Sequence, residues 1–214
     1  MELTTERLQG MVDFAASHGA CFGSIKILAR MTAEDFYNDP DVACYTFWYV
    51  ENIVRNRFEL GEHILAKDAH YSYRYAKDFL KGRFELGEES IAQSPHYSLI
   101  YAREIIRGRF ELGEESIARN ALYSYIYARD VLNGAFDLGE RTISNDASCA
   151  YEYAKNILKG PFKDAEHIIA TDGEYAFFYA KDILRGRFEL CEPAINSNAT
   201  YGPLYQKFLK ENGL

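Results

Sequence analysis

From residue 44 onward the apolar positions of the chain return every 26 residues. Tyr-Ala-Lys-Asp-Phe-Leu-Lys-Gly-Arg-Phe-Glu-Leu-Gly-Glu at 75–88 comes back as Tyr-Ala-Arg-Glu-Ile-Ile-Arg-Gly-Arg-Phe-Glu-Leu-Gly-Glu at 101–114. Copies start at Cys44, His70, His96, Leu122, Ser148 and Glu174, and a half copy starts at Thr200. In the first half of a copy, Tyr71, Ser72, Tyr73, Tyr75, Ala76, Phe79 and Leu80 cover an arc of about 200° when placed at about 100° per residue. Arg74, Lys77, Asp78 and Lys81 fill the remainder. An apolar arc so wide predicts a helix of three turns packed on both flanks. Asp68, Ser94, Asn120, Asp146, Asp172 and Asn198 share an N-cap column, and Gly82, Gly108, Gly134, Gly160 and Gly186 share the column where the helix should stop.

The second half of a copy predicts a shorter helix of about two turns, partly 3₁₀ in character, with Phe84 and Ile91 on one face. Gly87, matched by Gly61, Gly113 and Gly139 and replaced by Ala165 and Cys191, sits inside it, which implies a close approach by another helix. A unit this short cannot close a core alone, so the copies must stack. The expected fold is therefore all-α: an α-solenoid of tandem 26-residue two-helix repeats over 44–214, with an N-terminal helical cap and degenerate repeat over 1–43. Within the cap, Thr5–Ala16, Cys21–Arg30 and Ala33–Tyr37 are the helix candidates.

Composition adds limits. Thirty-two acidic against 24 basic residues give a net charge of −8, which disfavours a phosphate backbone as partner. No run approaches the roughly 20 apolar residues that span a bilayer, so the expectation is a cytoplasmic protein without a membrane partner. Cys21, Cys44, Cys149 and Cys191 lack any Cys-x-x-Cys spacing, and His18, His63, His70, His96 and His167 form no His-x-x-x-His pair, so no metal or cofactor is expected. Nor is there a phosphate loop, a Gly-x-Ser-x-Gly or a His-Glu-x-x-His motif, and the chain reads as no enzyme.

The recurrent Glu62, Glu88, Glu114, Glu140, Glu166 and Glu192 read as partners of Arg57, Arg83, Arg109 and Arg187 or of backbone donors. The tyrosine columns read as core. Function is expected where the repeat varies instead. The column Trp48, Arg74, Ile100, Ile126, Glu152 and Phe178 falls in the middle of the polar arc and predicts an outward apolar stripe, rimmed by charges that include Lys77, Arg103 and Arg129, suited to a protein partner or to a second copy of the chain.

The motif Tyr-Ala-x-x-Ile/Leu-x-Gly-Arg-Phe-x-x-Gly-Glu-x-x-Ile-Ala, read at Tyr75–Ala92 and Tyr101–Ala118, resembles the short helical repeats of proteins from tailed bacteriophages and large DNA viruses. The resemblance implies an accessory protein that binds and inhibits or redirects a host or anti-phage defence protein. Rival expectations are an acidic DNA mimic or nucleotide-binding groove, and a virion or assembly component. The copy at 148–173 departs from the motif through Pro161-Phe162-Lys163-Asp164-Ala165, which puts regular curvature there in question.

Overall fold

The computed structural model describes residues 4–20, 25–26 and 28–214, and every regular element among them is helical. Cys21 and part of the candidate helix Cys21–Arg30 lie outside the described residues. The chain divides into two compact units, Met1–Tyr97 with Glu104–Ile106, and Ser98–Arg103 with Arg107–Leu214.

The first unit opens with the helix Thr5–Ser17, whose Thr4 side chain accepts from the Arg7 N–H, and continues with Ala33–Asn38, started by a reciprocal capping box between Thr32 and Asp35. Leu8 and Val12 of the first helix pack with Phe36, Val42, Ala43 and Ile64 in one buried cluster. The N-terminal segment is thus joined to the repeat by a shared apolar core.

Each copy is built the same way. Asp68 accepts from the Tyr71 N–H and Asn120 from the Tyr123 N–H, satisfying donors that a helix start leaves orphaned. The long helix then runs as six to eight α residues, seven of them in Ala69–Tyr75 and Ala121–Tyr127, followed by a wider π turn, Ala76–Leu80 and Ala128–Leu132. It ends on a residue in the left-handed region: Arg55, Lys81, Arg107, Asn133, Lys159 and Arg185 all have φ between 51° and 56°.

The helix thus stops just before the glycine column, as expected. The glycine column is not where the backbone turns left-handed; the residue before it is. Gly82 follows Lys81, and both N–H groups converge on the Ala76 carbonyl, the glycine at 3.2 Å. These two hydrogen bonds close the orphaned carbonyl end of the helix in a wider version of the usual capping loop. A side chain at Gly108 would meet nothing within 4 Å.

The Gly87 column does carry the expected close approach. A Cβ at Gly139 would sit 2.7 Å from Ser124 Oγ and 2.5 Å from the Phe136 ring, and one at Gly87 would sit 2.5 Å from Ser72 Oγ. The short helix therefore presses its glycine onto the serine of its own copy's long helix. In the second unit, Ala121–Tyr127 packs on Asp137–Ile143 and on Ala147–Tyr153, and Ala147–Tyr153 packs on Gly173–Phe178. The core therefore passes from one copy to the next.

Candidate protein-interaction surface

The recurrent tyrosines and glutamates form one buried device. Tyr127 is fully buried; its hydroxyl accepts from the Phe110 N–H at 2.9 Å and donates to Glu114 Oε1 at 2.9 Å. Arg109 clamps the same carboxylate with two bonds of 2.7 and 2.9 Å. In the first unit Tyr75, Phe58, Glu62 and Arg57 repeat the arrangement. Phe110 precedes a short helix and has a non-helical backbone, so its N–H would be an orphan without the phenol. Tyr153 with Glu140, and Tyr179 with Glu166, keep the device where Ala135 and Pro161 replace the arginine.

The chemical consequence is that both functions of each hydroxyl are used within the fold. Burial pushes the Tyr75 phenol up to about 12 and holds those of Tyr127, Tyr153 and Tyr179 well above the usual range. Burial likewise raises the Cys149 thiol to about 12 and the Cys191 thiol to about 11, so neither supplies a thiolate at neutral pH. No cluster of His, Cys, Asp and Glu among the described residues could hold a metal ion, and none of their helices is long and apolar enough to cross a membrane.

The expected charge rim is largely occupied. In the first unit Lys77 donates to the Tyr73 hydroxyl at 3.0 Å and to Glu104 at 2.8 Å. In the second, Lys155 bonds Tyr151 and Asp182 in the same way. Arg103 lies 3.7 Å from Asp130, while Arg129 pairs with Asp130 at 2.6 Å and lies over the Tyr125 ring. Lys77, Arg103 and Lys155 join one copy to the next and Arg129 binds within its own, which leaves Lys77, Arg103 and Arg129 committed to the scaffold.

The expected outward stripe is only half open to water. Trp48, Arg74, Ile100, Ile126, Glu152 and Phe178 are all half-buried. Arg74 bonds Glu51 and Asp78 and lies 4.4 Å over the Phe47 ring. Phe178 touches the rings of Tyr151, Phe177 and Tyr201. Glu152 accepts from Asn156 at 2.7 Å, and Trp48 lines an apolar cavity of about 160 Å³ with Leu8, Val12 and Phe36 in the first unit. Side chains of neighbouring copies fold over Arg74 and Phe178, which a single-helix projection cannot show.

Single apolar groups face water elsewhere, such as Phe14 and Leu122, but the exposed ones that recur at one repeat position lie on the short helices. Leu112 is 55% exposed, Leu138 56% and Leu190 58% in the second unit, and Leu86 is 62% exposed in the first. They hold one position of the repeat, the Leu of Phe-Glu-Leu-Gly. Beside them Glu111, Glu115 and Asp137 are exposed and form no ion pair among the described residues. Helices Glu111–Ile117 and Asp137–Ile143 pack on each other, so Leu112 and Leu138 occupy the same place on adjacent helices. The signal was present in the sequence as an apolar column on a two-turn element, but Phe84 and Ile91 alone define the buried face of so short a helix.

Comparison with protein-family models, with curated proteins and with solved structures finds no match.

Proposed function

We propose that the chain is a non-enzymatic protein-binding module, an α-solenoid of stacked 26-residue copies that presents its exposed leucine column to a protein partner. The observation that carries this reading is the exposure of Leu86, Leu112, Leu138 and Leu190 at one repeat position. Large apolar side chains left in water at a recurring place and rimmed by charge fit a binding surface. The devices that could suggest catalysis, the buried Tyr–Glu sets, have their polar atoms used within the fold, which supports a scaffold over an active site. The sequence resemblance extends the proposal to a viral accessory protein acting on a host or defence protein.

The test is a photo-crosslinking amino acid placed singly at 112, 138, 100 or 178 in cells that contain the partner. Adducts of one defined protein from 112 and 138, and none from 100 and 178, are the expected result. Adducts confined to 100 and 178 would sink the surface assignment.

A further inference from the structure

The leucine face also carries information about what covers it. Resting on the proposal of a protein-binding surface, we infer that its occupant in the second unit is a basic amphipathic helix lying across the short helices of adjacent copies. Two features of the face point to this partner.

The first is spacing. Glu111–Ile117 and Asp137–Ile143 are packed neighbours, and packed helices lie about 8–10 Å apart. Leu112 and Leu138 hold the same place on these two helices, so a partner should meet them at about that interval. Seven residues of an α-helix rise about 10.5 Å, so a partner helix with an apolar residue at every seventh position meets one leucine per copy.

The second is charge. Glu111 and Glu115 flank Leu112, and Asp137 stands beside Leu138; all three are exposed, and none forms an ion pair among the described residues. Arg141 takes the place of Glu115 in the next copy and leaves the face net acidic. A second copy presenting this same face would set carboxylates against carboxylates, so two-fold self-pairing is opposed and a Lys- or Arg-flanked segment is favoured. The next copy ends the site, because Lys163 and Asp164 replace the acid and the leucine.

The probe is an acetylated peptide of about 22 residues with Leu at every seventh position, Lys at the flanking positions and Ala elsewhere. Its controls are a peptide with the leucines moved to every fifth position and one with Glu in place of Lys. Binding to the full chain is followed by fluorescence anisotropy. The basic heptad peptide should bind at least about tenfold more tightly than either control. Raising NaCl from about 50 to about 500 mM should weaken it severalfold. The double variant Leu112→Ser, Leu138→Ser should lose about tenfold or more with its helical circular dichroism unchanged, and Glu111→Lys with Asp137→Lys should shift preference toward the Glu peptide. Equal binding of the three peptides, indifference to these substitutions, or self-association that depends on Leu112 and Leu138 in sedimentation would overturn the inference. Crosslinks from 112 and 138 together with failure of the basic peptide would leave the protein-binding reading standing and remove only this partner.

Discussion

The copy at 122–147 and the copy at 148–173 share a backbone path while differing at several contacts that the repeat elsewhere keeps. Ser124 faces Gly139 in the first; Ala150 and Ala165 hold those places in the second, and both are fully buried. Asn133 ends one long helix and Lys159 the other, at φ 51° and 53°. Exposed Leu138 becomes Asp164. Even so, Ala147–Tyr153 and the π turn Ala154–Leu158 follow the same plan as Ala121–Tyr127 and Ala128–Leu132. The path is thus held by what both copies retain: the N-cap, the left-handed residue and the tyrosine that satisfies the phenylalanine N–H. The interior contact can be filled in more than one way, provided that a carbon gained on the short helix is matched by an oxygen lost from the long one. A third copy repeats the exchange, with Ala176 in the serine column and Cys191 in the glycine column.

The largest effect should come from breaking that exchange. Gly139→Ala places a methyl group within 2.7 Å of Ser124 and Phe136, and overpacking of this kind costs about 1–3 kcal/mol. Adding Ser124→Ala converts the contact to the pairing already present at 150 and 165. A double-mutant cycle in urea should therefore show a favourable coupling of about 0.5 kcal/mol or more. Simple additivity of the two substitutions would mean that the exchange between copies is coincidental.

The retained device predicts near-equality where the first test predicts difference. Tyr153→Phe strands the Phe136 N–H, and Tyr179→Phe strands the Phe162 N–H, both buried. Leaving a buried donor unsatisfied costs about 1–3 kcal/mol, and the two losses should agree within about 0.5 kcal/mol, because neither copy has an arginine on its glutamate. A much smaller loss for Tyr179→Phe would show that the irregular copy is held by something other than this bond.

How much of this the sequence discloses depends on whether a feature is local. The N-caps were legible because Asp, Asn and Ser at a helix start bond to their own backbone, as Asp146 does with the Cys149 N–H at 2.8 Å. The close approach at Gly87 was legible because a glycine inside a helix is otherwise unfavourable. The stop itself was legible in the glycine column, but the left-handed residue before it was not, since Arg and Lys there disguise a conformation that usually selects Gly or Asn. A cation at the carbonyl end of the helix, present in every copy but the one that ends on Asn133, offsets part of that strain. The surface was harder still. Whether Ile126 or Leu138 meets water depends on how the neighbouring copy folds over it, and no property of one copy's helix contains that answer.

The smallest effect separates the rims of the same two copies. Lys155 meets a carboxylate, Asp182, whereas Arg129 has the neutral Asn156 at the equivalent position of the following copy. Burial works to raise the Asp182 pKa, but the bonds from Lys155 and Tyr151 outweigh it and hold the carboxyl below its ordinary 3.8. A depressed carboxyl contributes stability above its unfolded pKa and loses it as the pH falls through the folded value. Asp182→Asn makes this rim resemble its neighbour. At pH 7 the variant should be less stable by at most about 1 kcal/mol, since the pair is partly exposed. The gap in urea midpoint should close as the pH is taken below the depressed pKa, because both chains then carry a neutral group at 182. A gap that persists unchanged in acid would assign Asp182 a packing role, and the charged contact between copies would lose its place among the forces that hold them together.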